Sequence, residues 1–358
     1  MRTLIQSGPD NLDPFAIPVV ALAHNEANIL CDFLDHYRAL GPVTFLIVDD
    51  NSTDGTSDIL SKMPDVTVFR PAHGSSYKEH KAIWRSELLD TFADERWCLV
   101  PDLDEHFVFA GAPDLLGYIS QLDEEGASAV ATLMIDMYTD RPLADHLHPQ
   151  GSKIPLRQRF QHFDGPEGYA MRPVIGKVGA KYPTPPVAFH GGPRHRMNRG
   201  PLFEDLDFPK RTLLCRHLGL SNSINADHGL IWRLTVGQMA RRYFNEALNM
   251  TKVGLLRWQR GMRFNGGAHK LNRSMPVSES IAGFLHYPFT RGAKGIRYVA
   301  DRGQHVGEGK HYRALLESGT LAKSFAFDQT RIYQSVSDLT GLIRPIRGNT
   351  ALSSTTTI

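Results

Sequence analysis

Two aspartates one residue apart, Asp102 and Asp104, follow the apolar run 97–100 and lead directly into Glu105. In an extended segment, residues i and i+2 project to the same side. Two carboxylates so placed repel each other unless a cation lies between them. A hard divalent ion, Mg²⁺ or Mn²⁺, suits such oxygen ligands and can hold a diphosphate at the same time. It also neutralises the charge that develops on a departing diphosphate. The plain alternative is an acidic turn that caps a helix; the position straight after a buried strand favours the metal. A second polar set, Asp49-Asp50-Asn51-Ser52-Thr53-Asp54-Gly55-Thr56, follows the apolar run 43–48. Its carboxylates suit hydrogen bonds from a uracil ring N–H or from ribose hydroxyls, whereas Ser52 or Asp54 would serve equally as a helix cap. A third set, His24-Asn25-Glu26, follows the run 17–23, with Asn25 either a ligand contact or an N-cap.

These clusters need a scaffold that brings separate chain segments to one rim. The continuous apolar runs 17–23, 43–48, 66–69 and 97–100 read as strands covered on both faces. Between them, Ile29, Leu30, Phe33, Tyr37 and Leu40 recur on one helix face, which Gly41-Pro42 ends. A short helix opens at Asp54-Gly55-Thr56 and stops near Pro64. Residues 78–93 form a helix with Ile83, Leu88, Leu89 and Phe92 inward, and a helix at 113–125 precedes a strand at 127–138. This alternation predicts an α/β fold, a mostly parallel sheet flanked by helices. Ligands in such sheets bind beyond the carboxyl ends of the strands, where all three polar clusters fall. Residues 139–200 read as long loops. Residues 201–261 read as helical, through Leu213, Leu214, Leu218 and the run from Trp232 to Trp258. The last residues, 351–358, are small and polar and are expected to fray.

The 358 residues suffice for one large domain or two ordinary ones. The net charge of +2 conceals an asymmetry: residues 1–150 hold 9 Lys/Arg and 25 Asp/Glu, the remainder 31 and 13. An acidic half suits a cation and a basic half a phosphorylated ligand or an anionic membrane face. Two solvated surfaces of opposite sign facing each other would give the same count. The cysteines Cys31, Cys98 and Cys215 are odd in number and form no CxxC pair, which argues against a disulfide framework. Neither a signal peptide nor an apolar run of membrane-spanning length is visible. A cytoplasmic protein is expected, touching a membrane at most peripherally on its inner face. The stretch 241–273 interleaves Arg241, Arg242, Lys252, Arg257, Arg260, Arg263, Lys270 and Arg273 with Trp258 and Phe264. It suits an anionic acceptor or phospholipid head groups, or simply a solvated face. With no nucleic-acid-binding motif beside the charge, nucleic acid is not an expected partner.

Taken together, Ala-His-Asn-Glu at 23–26, Val-Asp-Asp-Asn-Ser-Thr-Asp-Gly-Thr at 48–56 and Asp-Leu-Asp-Glu at 102–105 resemble, in order and spacing, the family 2 glycosyltransferases of the GT-A fold. The resemblance implies a GT-A-type nucleotide-binding sheet with a helical, loop-rich C-terminal part. It implies a nucleoside-diphosphate-sugar donor, most often a UDP-sugar, and Mn²⁺ or Mg²⁺ as cofactor. Transfer would invert the anomeric centre and go to a hydroxyl of a carbohydrate or other acceptor, with surface polysaccharide synthesis the associated role. Carried over by position, Asp50 reads the base, Asp102 the ribose or the metal, and Asp104 the metal. Asn25, Glu26, Asp49, Ser52 and Asp54 join the donor site.

A looser likeness to one subgroup of that family extends to Met137-Tyr138, His190-Gly191-Gly192-Pro193-Arg194, Lys252 to Trp258, Gly266-Gly267-Ala268-His269 and Phe284-Leu285-His286-Tyr287. It implies a downstream histidine as a further metal ligand or phosphate contact, His269 first and His286 second. Arg194, Lys252 and Arg257 then suit the diphosphate, since guanidinium groups pair bidentately with phosphate oxygens. Inversion needs a general base. The Glu-Asp pair that opens a helix in many members has its counterpart in form at Glu204-Asp205, which makes Asp205 the first candidate; Asp136 and His190 stay open. The chain then divides into a leader (1–14), a nucleotide-sugar-binding domain (15–200), a helical acceptor region (201–345) and a flexible tail (346–358).

Two other classes compete. A haloacid-dehalogenase-like phosphohydrolase also places D-x-D after a strand, but it wants Thr or Val two residues past the second Asp, where His106 stands. A non-catalytic nucleotide-sugar binding protein would keep the donor site without turnover. Neither a P-loop nor a G-x-G-x-x-G follows the first strand.

Overall fold

The computed structural model describes residues 3–244, 249–303, 310–317 and 319–346. Apart from Ile346, the expected flexible tail lies outside the described residues. The strands are β1 (Leu4–Gln6), β2 (Ile17–Ala23), β3 (Val43–Asp49), β4 (Val66–Pro71), β5 (Trp97–Leu99), β6 (Glu105–Val108), β7 (Ala129–Asp136), β8 (His162–Asp164), β9 (Tyr169–Pro173), β10 (Val187–Gly191), β11 (Thr251–Arg257), β12 (Val277–His286) and β13 (Thr330–Ile332). Nine of them form one sheet in the order β1-β4-β3-β2-β5-β11-β7-β12-β6. Six of the nine, β2, β3, β4, β5, β7 and β12, run in one direction, and β1, β11 and β6 run against them. The expected α/β architecture with a mainly parallel sheet is therefore present.

The helices follow as α1 (Leu30–Leu40), α2 (Thr56–Leu60), α3 (Tyr77–Phe92), α4 (Leu115–Glu125), α5 (Leu156–Arg159), α6 (Lys177–Lys181), α7 (Pro193–Arg199), α8 (Phe208–Leu218), α9 (Leu230–Leu234), α10 (Val236–Phe244), α11 (Gly292–Arg302) and α12 (Lys310–Glu317). β2 and β3 are buried along their length because helices cover both faces, and that burial is what an unbroken apolar run requires. α1 buries Leu30, Phe33, Leu34 and Tyr37, one stripe at helical spacing. α3 differs from expectation. Ile83 is exposed, and the inward face carries Trp84, Leu88 and Leu89 together with a buried arginine, Arg85.

Two further expectations are corrected. Residues 4–6 are no loose leader, because they pair antiparallel with β4 at the sheet edge. The helical reading of 201–261 holds for α8, α9 and α10 but fails at 251–257, where β11 inserts between β5 and β7. A short run apolar on both sides cannot be told from a buried helix by periodicity alone. Gly254 marks the difference: a Cβ there would stand 2.7 Å from the Phe284 ring and 2.9 Å from Thr132 Oγ1, so only glycine lets β11 lie against its neighbours.

Candidate active site

The carboxyl ends of β2, β5 and β7 open onto one cavity of about 570 Å³. Its wall includes His24 and Glu26 after β2 and Asp102 and Asp104 after β5. Lys252 of β11, His269 and His286 of β12 join them from the second half of the chain.

Asp102 is the most constrained member. Arg85 reaches it from α3 and Lys252 from β11, both side chains almost wholly buried. Burial alone would raise the Asp102 pKa, but the two cations outweigh it and hold the carboxyl far below its usual range. Lys252 Nζ also stands 3.1 Å from Glu105 Oε1, and Glu105 Oε2 accepts the Asp102 backbone N–H at 2.8 Å. Asp102 is thus neutralised by protein cations, which leaves little for a metal to compensate.

Asp104 faces a different set. Its Oδ2 lies 3.4 Å from His286 Nε2. His286 Nδ1 is bound to Asp136 Oδ1 at 2.6 Å, and Asp136 is clasped by Arg194 through Nε (2.6 Å) and Nη2 (2.9 Å). Burial would lower the His286 pKa, but Asp104 and Asp136 outweigh it and push it to about 9. Burial likewise opposes ionisation of Asp136, yet Arg194 and His286 hold it at about 2. Ligand atoms of Asp104, Glu105 and His286 lie within 4.8 Å of one another. Two carboxylates and an imidazole, the last fixed from behind by a carboxylate, form a donor set that fits a divalent cation.

Cations line the cavity beyond this cluster: Lys81 and Arg85 on α3, Arg194, Lys252 and Arg302. Arg302 donates to Asp50 Oδ2 at 2.6 Å, and His24 Nδ1 donates to the Asp50 carbonyl at 2.6 Å. Asp50 is therefore joined to the rim of the cavity that holds Asp104. His269 lies on the wall as a neutral imidazole. Its burial, with Lys252 alongside, lowers its pKa to about 4, and Nδ1–H donates to the Thr251 carbonyl at 2.7 Å.

Several expected site residues are employed elsewhere. Asp49 is fully buried and accepts from the Ser52 N–H at 3.0 Å and from the Ser57 hydroxyl. Ser52 accepts the Asn25 N–H at 3.0 Å, Asn25 Oδ1 accepts the Thr53 N–H at 2.7 Å, and Asp54 accepts the Ala27 N–H at 3.0 Å. These side chains tie two strand-end loops together. Asn25 is not an N-cap, since α1 begins only at Leu30. Arg257 is misplaced for a donor contact. β11 runs antiparallel, so Arg257 pairs with Trp97 at the amino end of β5, away from the cavity, and faces Asp123 at 3.8 Å.

The three candidate bases have other surroundings. Asp205 lies in an exposed turn, and the helix after it is capped by Asp207, which accepts the Lys210 N–H. His190 is buried in the β9–β10 ladder, where Arg172 Nε donates to its Nε2 at 3.0 Å. Asp136 is closed off behind His286 and Arg194. None of the three lines the cavity. Residues that the motifs did not mark include Lys81, Arg85, Tyr77, Arg302 and Tyr312. The one available signal was Lys81 and Arg85 four residues apart, which places both on one face of α3.

No curated protein matches the chain. Among solved structures, a slight likeness is to one described as a glucose-1-phosphate thymidylyltransferase from Bacillus anthracis in complex with a sucrose. It has 11% identity and a TM-score of 0.23, covering 37% of this chain and 58% of that one. An overlap so small carries no argument. Residues 19–171 match the family model described as glycosyl transferase family 2, a span that contains Glu26, Asp50, Asp102 and Asp104. The chain therefore carries, at residues 19–171, a family 2 glycosyl transferase domain, the domain of a glycosyltransferase.

Proposed function

We propose that this protein is a glycosyltransferase that takes a nucleoside-diphosphate sugar, a UDP-sugar first among them, and moves the sugar with inversion to a hydroxyl of a carbohydrate or similar acceptor, with Mn²⁺ or Mg²⁺ bound. The observation that carries the reading is the pairing, in one cavity, of the Asp104–Glu105–His286 donor set with the cations Lys81, Arg85, Lys252 and Arg302. A diphosphate is the ligand that answers both, since its oxygens satisfy ammonium and guanidinium donors and share a divalent ion. The bound ion would supply charge neutralisation at the departing diphosphate. Asp104 and His286 would hold it, with Glu105 behind them. Asp136 and Arg194 keep the His286 ring in place. Asp50, joined to His24 and Arg302, is the group offered to the nucleobase.

For the base we favour Glu26. It lines both the main cavity and a smaller adjoining pocket of about 80 Å³, and Asp104 is the other carboxylate common to the two. Arg291 Nη2 stands 3.9 Å from its carboxylate. An acceptor hydroxyl in the smaller pocket would meet Glu26 on the side facing the cation site.

Thermal shift with UDP and GDP, each with and without Mn²⁺, tests the donor reading. UDP should stabilise the protein in a Mn²⁺-dependent manner, and at a hundredfold excess over Kd the gain is about 2.7 kcal/mol. No shift with any nucleotide would refute it. Slow hydrolysis of a UDP-sugar with Mn²⁺ separates an enzyme from a mere binder. Glu26→Gln should keep the UDP shift and lose turnover by about a hundredfold or more.

A further inference from the structure

The helical segment between α7 and β11 carries a surface that the donor cavity does not explain. Leu230, Ile231 and Leu234 share a side of α9 and are 71%, 81% and 62% exposed. Among the described residues no other stretch of five exposes three large apolar side chains. Leu234, Arg233, Gln238 and Arg241 form one wall of a groove of about 430 Å³, and Val174 to Ala180, at the start of α6, form the other. Val178 on α6 is also exposed, with Lys177 and Lys181 at either end of that helix. Residues 208–244 contain six Lys/Arg and a single acidic residue, Asp227.

Exposed apolar groups clustered on a monomer mark an interaction surface. A second copy is a poor occupant. A twofold interface places the same patch on both sides, so Arg233 and Arg241 would meet arginines with almost no acid to offset them. A bilayer rich in anionic lipid supplies what both halves of the patch require: acyl depth for Leu230, Ile231 and Leu234, and phosphate groups for the arginines. Of the stretch 241–273, whose composition first pointed to head groups, only the α10 end with Arg241 belongs to this face, since Trp258 and Phe264 are buried.

We infer that the α6–α9–α10 face docks peripherally on anionic phospholipid bilayers, with the apolar side of α9 entering the head-group boundary and Arg233 and Arg241 pairing with lipid phosphates. This docking does not depend on the donor reading, because none of these residues lines the donor cavity.

Co-sedimentation of the full chain with vesicles tests it, using phosphatidylcholine alone and phosphatidylcholine with one-third phosphatidylserine, at low and high salt. The chain should bind the phosphatidylserine vesicles about tenfold or more tightly than the neutral ones, and high salt should weaken that binding. Ile231→Asp with Leu234→Asp, and separately Arg233→Glu with Arg241→Glu, should each reduce binding about tenfold or more. Both variants should keep the wild-type melting temperature and the same response to UDP and Mn²⁺, which excludes misfolding. Absence of wild-type binding, or equal binding to both vesicle types, overturns the inference. So does a wild-type dimer in light scattering that Ile231→Asp with Leu234→Asp dissociates.

Discussion

Asp102 and Asp104 share a strand end but not a role, and their partners explain why. Asp102 is balanced by Arg85 and Lys252, whereas Asp104 meets an imidazole whose other nitrogen is held by Asp136. Asp104→Asn should therefore abolish Mn²⁺-dependent UDP stabilisation and leave the metal-free melting temperature within a few degrees of wild type. Retention of the Mn²⁺ effect would remove Asp104 from the ligand set. The pKa of His286, raised from 6.5 to about 9, gives a second test. A raised folded-state pKa means that its ion pairing stabilises the metal-free protein fully below about pH 6.5 and is lost as the pH rises through 9. A metal must displace that proton. Mn²⁺ affinity, measured by calorimetry, should then climb about tenfold per unit between pH 6.5 and 8.5. His286→Gln should flatten the slope, and an unchanged slope would show that another group releases the proton.

Elements matter here through the side chains they lend across the sheet. α3 buries Arg85 because its inward face looks onto the end of β5, and β11 brings Lys252 to the same carboxylate from the other side. Removing Arg85 leaves Lys252 alone to offset both the half-exposed Asp102 and the buried Glu105. Arg85→Met should lower stability by about 1–3 kcal/mol in urea unfolding, and a loss under about 0.5 kcal/mol would mean that solvent and Lys252 already compensate Asp102. β11 has its own requirement. Gly254→Val places carbon where the Phe284 ring and Thr132 already lie, and should cost about 1–3 kcal/mol through overpacking.

At the scale of the molecule, the family-matched segment ends at residue 171, but the sheet does not. β11 separates β5 from β7, and β12 separates β7 from β6, so later chain completes what the earlier strands begin. A chain ended at residue 200 would expose unpaired edges on β5, β6 and β7. It should lack a cooperative thermal transition and bind the apolar dye ANS; sharp two-state melting of that fragment would show that the first 200 residues fold alone. The cavity crosses the same divide. Asp104 comes from the first half and His286 from the second, so the cation set forms only when β12 is in place beside β7.

How far the chain could be read without coordinates follows from the range of the forces involved. Apolar periodicity is local, and it marked β2, β3, β5, α1 and the parallel core, together with the polar clusters at their carboxyl ends. Asp104 stands out as a candidate metal ligand from motif and position, and His286 only through the looser family likeness. Partnership is non-local. No pattern near residue 85 announces a salt bridge to Asp102, none near 302 a bond to Asp50, and none at 251–257 tells a strand from a helix. Asp136 and His190 carried groups suited to a base, yet packing turned each toward a buried partner and away from the cavity. Local sequence established which groups were present and which segments were strands. Only the tertiary structure decided which charges are spent on one another and which still face a ligand, because that depends on neighbours more than a hundred residues away along the chain.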